Sequence, residues 1–165
     1  MLQRILQLND VKDDSLFLWG PRQTGKSTLL KTLFPEVPYY DLLKSEEYTK
    51  YKLKPSLLRE ECEMLDAGSV VIIDEVQKIP ALLDEVHWLI VNCDIHFILC
   101  GSSARKLRRE GANLLGGRAL RKTMHPLVSA EIPDFDIDKA VNGGMLPRHY
   151  LVANPQKRLQ AYIGD

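Results

Sequence analysis

Residues 20–27 carry the pattern that most directly predicts chemistry. They read Gly-Pro-Arg-Gln-Thr-Gly-Lys-Ser and match G-x-x-x-x-G-K-[ST]. Glycines let such a loop wrap a phosphate with its N–H groups inward, and the following helix points its positive end at the same anion. The alternative is a chance match in a turn before a helix, but the flanking buried strand and apolar helix favour a phosphate loop. We therefore predict a nucleotide cradle formed by Gly20, Pro21, Arg22, Gln23, Thr24, Gly25, Lys26, Ser27 and Thr28.

Two carboxylates follow the strongest strand signal of the chain. Residues 70–73 are Val-Val-Ile-Ile, and Asp74 and Glu75 come next. A buried strand would deliver Asp74 to the carboxyl edge of a sheet, where it could hold Mg²⁺ together with the Ser27 hydroxyl. Glu75 would then polarise the attacking water as a base, and Lys26 would contact the β- and γ-phosphates. An N-cap or a solvated turn after a core strand is the alternative for this pair.

Hydroxyls and one arginine complete the candidate site. Ser102 and Ser103 follow the apolar run at residues 97–100; Ser102 could sense the γ-phosphate or cap a helix, and capping is favoured for Ser103. Arg118 follows a glycine pair and would suit an arginine finger, acting on this chain's own nucleotide or on a neighbouring subunit's, with a surface arginine in a turn as the alternative. The basic helix predicted at residues 103–110 is typical of a solvated face, with Arg105, Lys106, Arg108 and Arg109.

The elements that must position these residues alternate between strands and helices. Apolar runs predict strands at residues 16–19, 37–41, 70–73, 96–100 and 120–124. Helical patterns occupy residues 1–8, 27–34, 42–53, 56–66, 82–91, 103–110 and 155–165. This alternation predicts an α/β fold with a parallel sheet covered by helices on both faces, and its ligand outside the carboxyl ends of the strands.

Composition excludes several classes of protein. The 165 residues carry 22 basic and 22 acidic side chains, so charge does not indicate nucleic-acid binding. No apolar run reaches the ~20 residues of a membrane helix, and the first ten residues are unlike a secretory signal, so we expect a cytoplasmic protein. Cys62, Cys93 and Cys100 have no metal-site spacing and are expected to be buried thiols.

Five ordered segments within residues 15–132 resemble the AAA+ superfamily. More narrowly, they resemble a bacterial and archaeal group of AAA-domain ATPases that carries a C-terminal domain of unknown function. The segments are GPRQTGKSTLL, IIDEVQKIPALLDEV, FILCGSSARKL, NLLGGRAL and HPLVSAEI. The resemblance implies a three-layer α/β/α P-loop NTPase fold with five parallel strands in the order 5-1-4-3-2.

The same resemblance implies roles for individual residues. It implies an ATPase with Mg²⁺ as cofactor and a sensor at Ser102 or Ser103. The remaining residues that it places in the site are Lys26 and Ser27 in the phosphate loop, Asp74 and Glu75 as metal-binding and catalytic carboxylates, and Arg118 as the candidate finger. Gln77 follows the acidic pair as it does in that group.

The chain is shorter than members of the resembled group. We expect a P-loop domain at residues 1–135 and an incomplete C-terminal or lid segment at residues 136–165, with one apolar helix face left uncovered. The lid that would carry a second sensing arginine is expected to be missing, so that a homo-oligomer or a separate chain would supply it.

Three kinds of activity compete for the same motifs. ATP hydrolysis coupled to a conformational change is the main prediction. A nucleotide-dependent switch that binds a partner protein or DNA, with little turnover, is the alternative. A small-molecule kinase is disfavoured because Asp74-Glu75 would activate water, and a GTPase because no N-K-x-D motif occurs.

Overall fold

The fold is built on five short strands that all run in the same direction. The computed structural model describes residues 2–104, 107, 115–152 and 154–164, without the side chains of residues 157 and 163. The strands are β1 (Ser15–Trp19), β2 (Tyr39–Asp41), β3 (Val70–Asp74), β4 (His96–Gly101) and β5 (Ala119–Thr123). Their order across the sheet is β2-β3-β4-β1-β5. This is the expected order 5-1-4-3-2 read from the opposite edge, and the prediction is confirmed.

The strand register aligns the carboxyl ends where the polar residues lie. Asp74 of β3 pairs with Asp41 of β2 and with Cys100 of β4, while Trp19 of β1 pairs with Gly101. Residues that directly follow β1, β3 and β4 therefore emerge side by side at one edge of the sheet.

Side chains that alternate along the strands build two cores. One face buries Leu16, Leu18, Ile72 and Ile98 against helix α1 (Lys26–Leu33). The other face buries Phe17, Val71, Ile73, Phe97 and Leu99 against helices α2 (Ser45–Leu53), α3 (Ser56–Cys62) and α4 (Leu82–Cys93). Helices thus cover both faces, which confirms the three-layer α/β/α architecture.

The residues after β5 form a small helical segment with its own cluster. Its helices are α5 (Ile137–Gly143), α6 (Pro147–Tyr150) and α7 (Gln156–Gly164). Leu127, Ile132 and Tyr150 pack together, so apolar contacts cross the expected domain boundary at residue 135. The division into two domains stays a prediction. Short 3-10 helices connect other elements at Asn9–Lys12, Val76–Lys78, Leu115–Gly117 and Ser129–Glu131.

The first residues differ from their predicted helix. Residues 2–8 are not helical, because the backbone N–H of Ile5 and the side chain of Arg4 both donate to Glu131. The predicted basic helix at residues 103–110 lies mostly outside the described residues. Within the described part of the chain, no helix combines the length and apolar character needed to cross a bilayer.

Candidate nucleotide site

The phosphate loop, residues 20–27, joins β1 to α1 and has a conformation that its glycines permit. Gly25 precedes the helix with φ 92°, and Gln23 is also left-handed, with φ 64°. A Cβ on Gly20 would collide with the carbonyl of Met124, just beyond β5. The loop therefore passes close to the neighbouring strand's end, where only a residue without a side chain fits.

Lys26 lies inside this loop. Its side chain is buried, and Nζ donates to the carbonyls of Gly20 at 2.7 Å and Pro21 at 2.8 Å. The ammonium is thus held within the arc of the loop by neutral carbonyls and has no carboxylate partner among the described residues. A polyphosphate entering the loop would meet a positive charge whose hydrogen bonds go to neutral carbonyls.

Asp74 is the meeting point of three polar groups. Only 2% of this residue is exposed, and its Oδ2 accepts from Ser27 Oγ at 2.5 Å and from Tyr39 Oη at 2.6 Å. Its Oδ1 accepts from the Glu75 N–H at 3.0 Å. Tyr39 lies on β2 and packs against the core, and its hydroxyl also reaches this carboxylate. Burial, followed by the hydrogen bond to Asp74 and its charge, raises the pKa of the Tyr39 hydroxyl, so it stays a donor.

Glu75 begins the turn after β3 in a left-handed conformation, with φ 60°. The Gln77 amide Nε2 donates to the Glu75 carboxylate and, at 3.2 Å, to Ser102 Oγ. Gln77 is buried, and a Cβ on Gly101 would collide with its Oε1. One amide therefore bridges the predicted base and the predicted sensor, a contact that sequence reasoning missed.

The other cradle residues divide by exposure. Thr24 is buried, and its Oγ1 donates to the Pro21 carbonyl at 3.0 Å. Pro21, Arg22, Gln23 and Thr28 are exposed around the loop. Ser103 is half-buried beside Ser102.

Two arginines of the C-terminal segment lie at the mouth of the loop. Arg148 and Arg158 line a cavity of about 350 Å³ together with Gln23, and Arg158 donates to the Arg148 carbonyl at 3.0 Å. Tyr162 of α7 lines the same cavity and meets the His149 ring edge-on at 5.7 Å. The face of α7 that was expected to be uncovered thus has a partner at Tyr162, and the expectation of a missing lid stays a prediction.

Arg118 lies away from these groups. It precedes β5, at the amino edge of the sheet, and lines a cavity of about 390 Å³ with Asp13, Asp94 and His96. The phosphate loop lies at the opposite, carboxyl edge. The structure therefore brings together the loop, Asp74, Glu75 and Ser102, and does not bring Arg118 to them.

Comparison with known protein families agrees with this geometry. A family model described as "AAA domain" matches residues 12–133, from the 3-10 helix before β1 to the segment after β5. The chain belongs to the AAA domain family. As a member of this family of P-loop ATPase domains, it has the expected fold and the expected kind of phosphate-binding loop.

Solved structures add support for the fold. The Walker-type ATPase PABY2304 of Pyrococcus abyssi superimposes with a TM-score of 0.56 at 16% sequence identity, over 90% of this AAA domain chain and 67% of the other chain. At this identity the likeness supports the fold alone. No curated protein matches the chain.

Proposed function

We propose that this AAA domain binds ATP with Mg²⁺ and hydrolyses the γ-phosphate. The observation that carries the proposal is the 2.5 Å hydrogen bond between Ser27 and Asp74, because it joins the end of the phosphate loop to the end of β3. A hydroxyl and a carboxylate at that distance offer the hard oxygen ligands that Mg²⁺ prefers.

Binding would begin with the loop and Lys26. The ammonium would exchange the carbonyls of Gly20 and Pro21 for the β- and γ-phosphate oxygens, a stronger, charge-assisted partnership. Backbone N–H groups of the loop and the first turn of α1 would donate to the same oxygens. The positive end of that helix adds to the attraction.

The residues present fit Mg²⁺. Ser27 and Asp74 would hold the ion on the protein side. Tyr39 donates to the same Asp74 oxygen as Ser27 and would orient the Asp74 carboxylate. When bound, Mg²⁺ neutralises charge on the phosphates. No group of three His, Cys, Asp or Glu side chains among the described residues forms a separate metal cage, which suits an ion that shares its ligands with a substrate.

Glu75 would act as the general base toward water. Its carboxylate lies one residue beyond the metal-binding position, and Gln77 holds it at the sheet edge. Ser102, which accepts from the same amide, would report on the γ-phosphate. These assignments make Glu75, Lys26 and Ser102 the catalytic group of this chain.

A further cation would come from another chain. Arg118 lies at the amino edge of the sheet, so we propose that it acts as an arginine finger on a neighbouring copy's nucleotide. Arg148 and Arg158 of this chain's C-terminal segment line a cavity together with Gln23 of the loop. A homo-oligomer, or a second chain that supplies a lid, would complete the site.

We further propose that the protein works in the cytoplasm.

A nucleotide-dependent switch is the second candidate function. Its support is that the proposed catalytic side chains are hydrogen-bonded within the protein. Lys26 donates to its own loop, and Glu75 accepts from Gln77. In this account ATP orders a surface for a protein or DNA partner, and turnover is incidental. Steady multiple turnover by the purified chain without a partner would count against it.

Replacing Glu75 tests hydrolysis directly. We expect Glu75→Gln to retain ATP affinity, because the phosphate loop is unchanged, and to lose phosphate release by a factor of about 10² or more, typical of a lost general base. Phosphate release and equilibrium binding would be measured on the same preparations. Glu85→Gln, which alters a carboxylate on α4 paired with Arg59, is the control and should behave as wild type. Normal hydrolysis by Glu75→Gln would refute the assigned mechanism.

Nucleotide choice has its own assay. The absence of an N-K-x-D motif and the family resemblance both favour adenine. In competition, GTP should displace labelled ATP more weakly than unlabelled ATP does, and equal or tighter GTP binding would overturn the choice.

A further inference from the structure

Arg4, in the segment before β1, reaches the phosphate loop from behind. Its Nη1 donates to the Thr24 carbonyl at 2.7 Å. Its Nη2 donates to the carbonyls of His125 at 2.7 Å and Pro126 at 3.3 Å, just after β5. One guanidinium thus joins three segments that are far apart in the sequence.

Glu131 holds this guanidinium in place. Its Oε1 accepts from Arg4 Nε at 2.9 Å and from the Ile5 N–H at 2.8 Å, and its Oε2 accepts from the Val128 N–H at 3.2 Å. The two charged side chains are only 8% and 4% exposed. Burial alone would raise the pKa of the Glu131 carboxyl, but the Ile5 N–H, Arg4 and Val128 N–H bonds outweigh burial and lower it.

The contact with Thr24 lies where the loop is conformationally demanding. Gln23 and Gly25, on either side of Thr24, both have positive φ angles, of 64° and 92°. The Thr24 carbonyl and the Gly25 N–H belong to one planar trans peptide unit, so they point in opposite directions. A donor that fixes the carbonyl therefore also fixes the direction of the Gly25 N–H, away from Arg4.

We propose that Arg4 is a positioning residue for the phosphate loop, held in place by Glu131. An Arg4–Glu131 ion pair alone would need no contact with the loop. Here one of the two terminal nitrogens of Arg4 donates to the Thr24 carbonyl instead. The pair sets the orientation of the Gly25 N–H and, through the bonds to residues 125–131, ties the loop to the segment that precedes α5. This inference rests on the proposed function for its ligand, Mg·ATP, but the ordering of the loop is independent of it.

The test replaces Arg4 by lysine. Lysine keeps the positive charge beside Glu131 but lacks the planar guanidinium that donates to four acceptors in different directions. The matched control is Arg59→Lys, because Arg59 also donates to two carboxylates, Glu63 and Glu85, far from the loop. We expect Arg4→Lys to raise the Kd for Mg·ATP about tenfold and Arg59→Lys to leave it within twofold of wild type.

A second measurement needs no nucleotide. In the free protein, hydrogen–deuterium exchange of the loop amides should be about tenfold faster in Arg4→Lys, while exchange of the β3 amides stays unchanged as an internal reference. Equal acceleration of loop and β3 would mean general destabilisation and would overturn the positioning role. Loop exchange in Arg4→Lys at the wild-type rate would also overturn it. So would a Kd for Mg·ATP that is the same in Arg4→Lys as in the wild type, provided that the wild type binds ATP.

Failure of the two proposals can be told apart. If wild-type protein binds no nucleotide but loop exchange responds to Arg4→Lys, the proposed function fails and the positioning role stands. If Arg4→Lys does not fold, Glu131→Gln replaces it, since the single amide oxygen of glutamine can still accept from the Ile5 N–H while the charge that holds Arg4 is lost. The amide NH₂ group cannot accept, so the bond from the Val128 N–H is lost as well. In Glu131→Gln the loop amides should exchange faster by a larger factor than the β3 amides, whose acceleration measures the overall loss of stability. Equal acceleration of the loop and β3 overturns the proposal.

Discussion

Asp74 illustrates how much of the site depends on single side chains. The carboxylate is almost wholly buried, yet Ser27, Tyr39 and the Glu75 N–H all donate to it. Burial of a carboxylate without partners would be costly, so these bonds offset that cost and fix the position of the side chain. The position of Asp74 at the carboxyl edge of the sheet was predictable from a strand that ends in Asp-Glu. The role of Tyr39 was not, because its contact depends on which strand lies beside β3.

Gln77 is a second residue, beside Glu75, whose substitution should separate binding from chemistry. We expect Gln77→Leu to lower kcat about tenfold, because Glu75 and Ser102 lose their shared donor, and to leave the Kd for Mg·ATP unchanged. Stability should hold, since the Gln77 Oε1 is buried without a hydrogen-bond partner and leucine removes that cost. Initial rates, binding and thermal melts check this. An unchanged kcat would contradict the bridging role.

At the scale of elements, local patterns were sufficient for most of the sheet. Strands β1, β3 and β4 and helices α1 and α4 follow directly from their apolar spacing, since each buries a face or a whole strand. The segment before β1 was predicted wrongly as a helix because Arg4 and Ile5 bond to Glu131, 127 and 126 residues away. A partner so distant leaves no local periodicity to detect.

The tie between these segments should make stability depend on acid pH. The pKa of Glu131 is lowered on folding from its ordinary 4.5, so its contribution is complete above pH 4.5 and is lost as pH falls through the lower, folded value. At pH 7, Glu131→Gln should cost about 3 kcal/mol, because Arg4 keeps a buried charge without its counter-ion. Urea unfolding of both proteins between pH 7 and pH 3 should show the difference shrinking below pH 4.5. A constant difference would contradict the ion pair's role.

At the scale of the whole molecule, sheet order decides which motifs can cooperate. Placing β1 beside β4, and β4 beside β3, gathers the phosphate loop, Ser102 and the acidic pair at one edge. The strand order came from the family resemblance, because alternation of elements predicts a parallel sheet without fixing its order. The same topology places Arg118 at the other edge, so any role for it in catalysis belongs to an assembly of chains.

Residues far from the motifs in sequence line the cavity beside the phosphate loop. The cavity beside Gln23 is lined by Arg148, Arg158 and Tyr162, more than 120 residues along the chain. Neither arginine belongs to a recognisable motif, and only the packing of α6 and α7 brings them to the loop. Sequence patterns therefore predicted the centre of the candidate site, while long-range packing supplied its surroundings.

The central claim is that the loop and Lys26 hold a polyphosphate beside a divalent ion. Isothermal titration calorimetry of Mg·ATP against wild type and Lys26→Ala, both shown to be folded by circular dichroism, tests it most directly. The account predicts saturable binding at one site per chain in wild type and at least tenfold weaker binding in Lys26→Ala. Folded wild-type protein that releases no heat with any nucleoside triphosphate, or equal affinity in the two proteins, would contradict it.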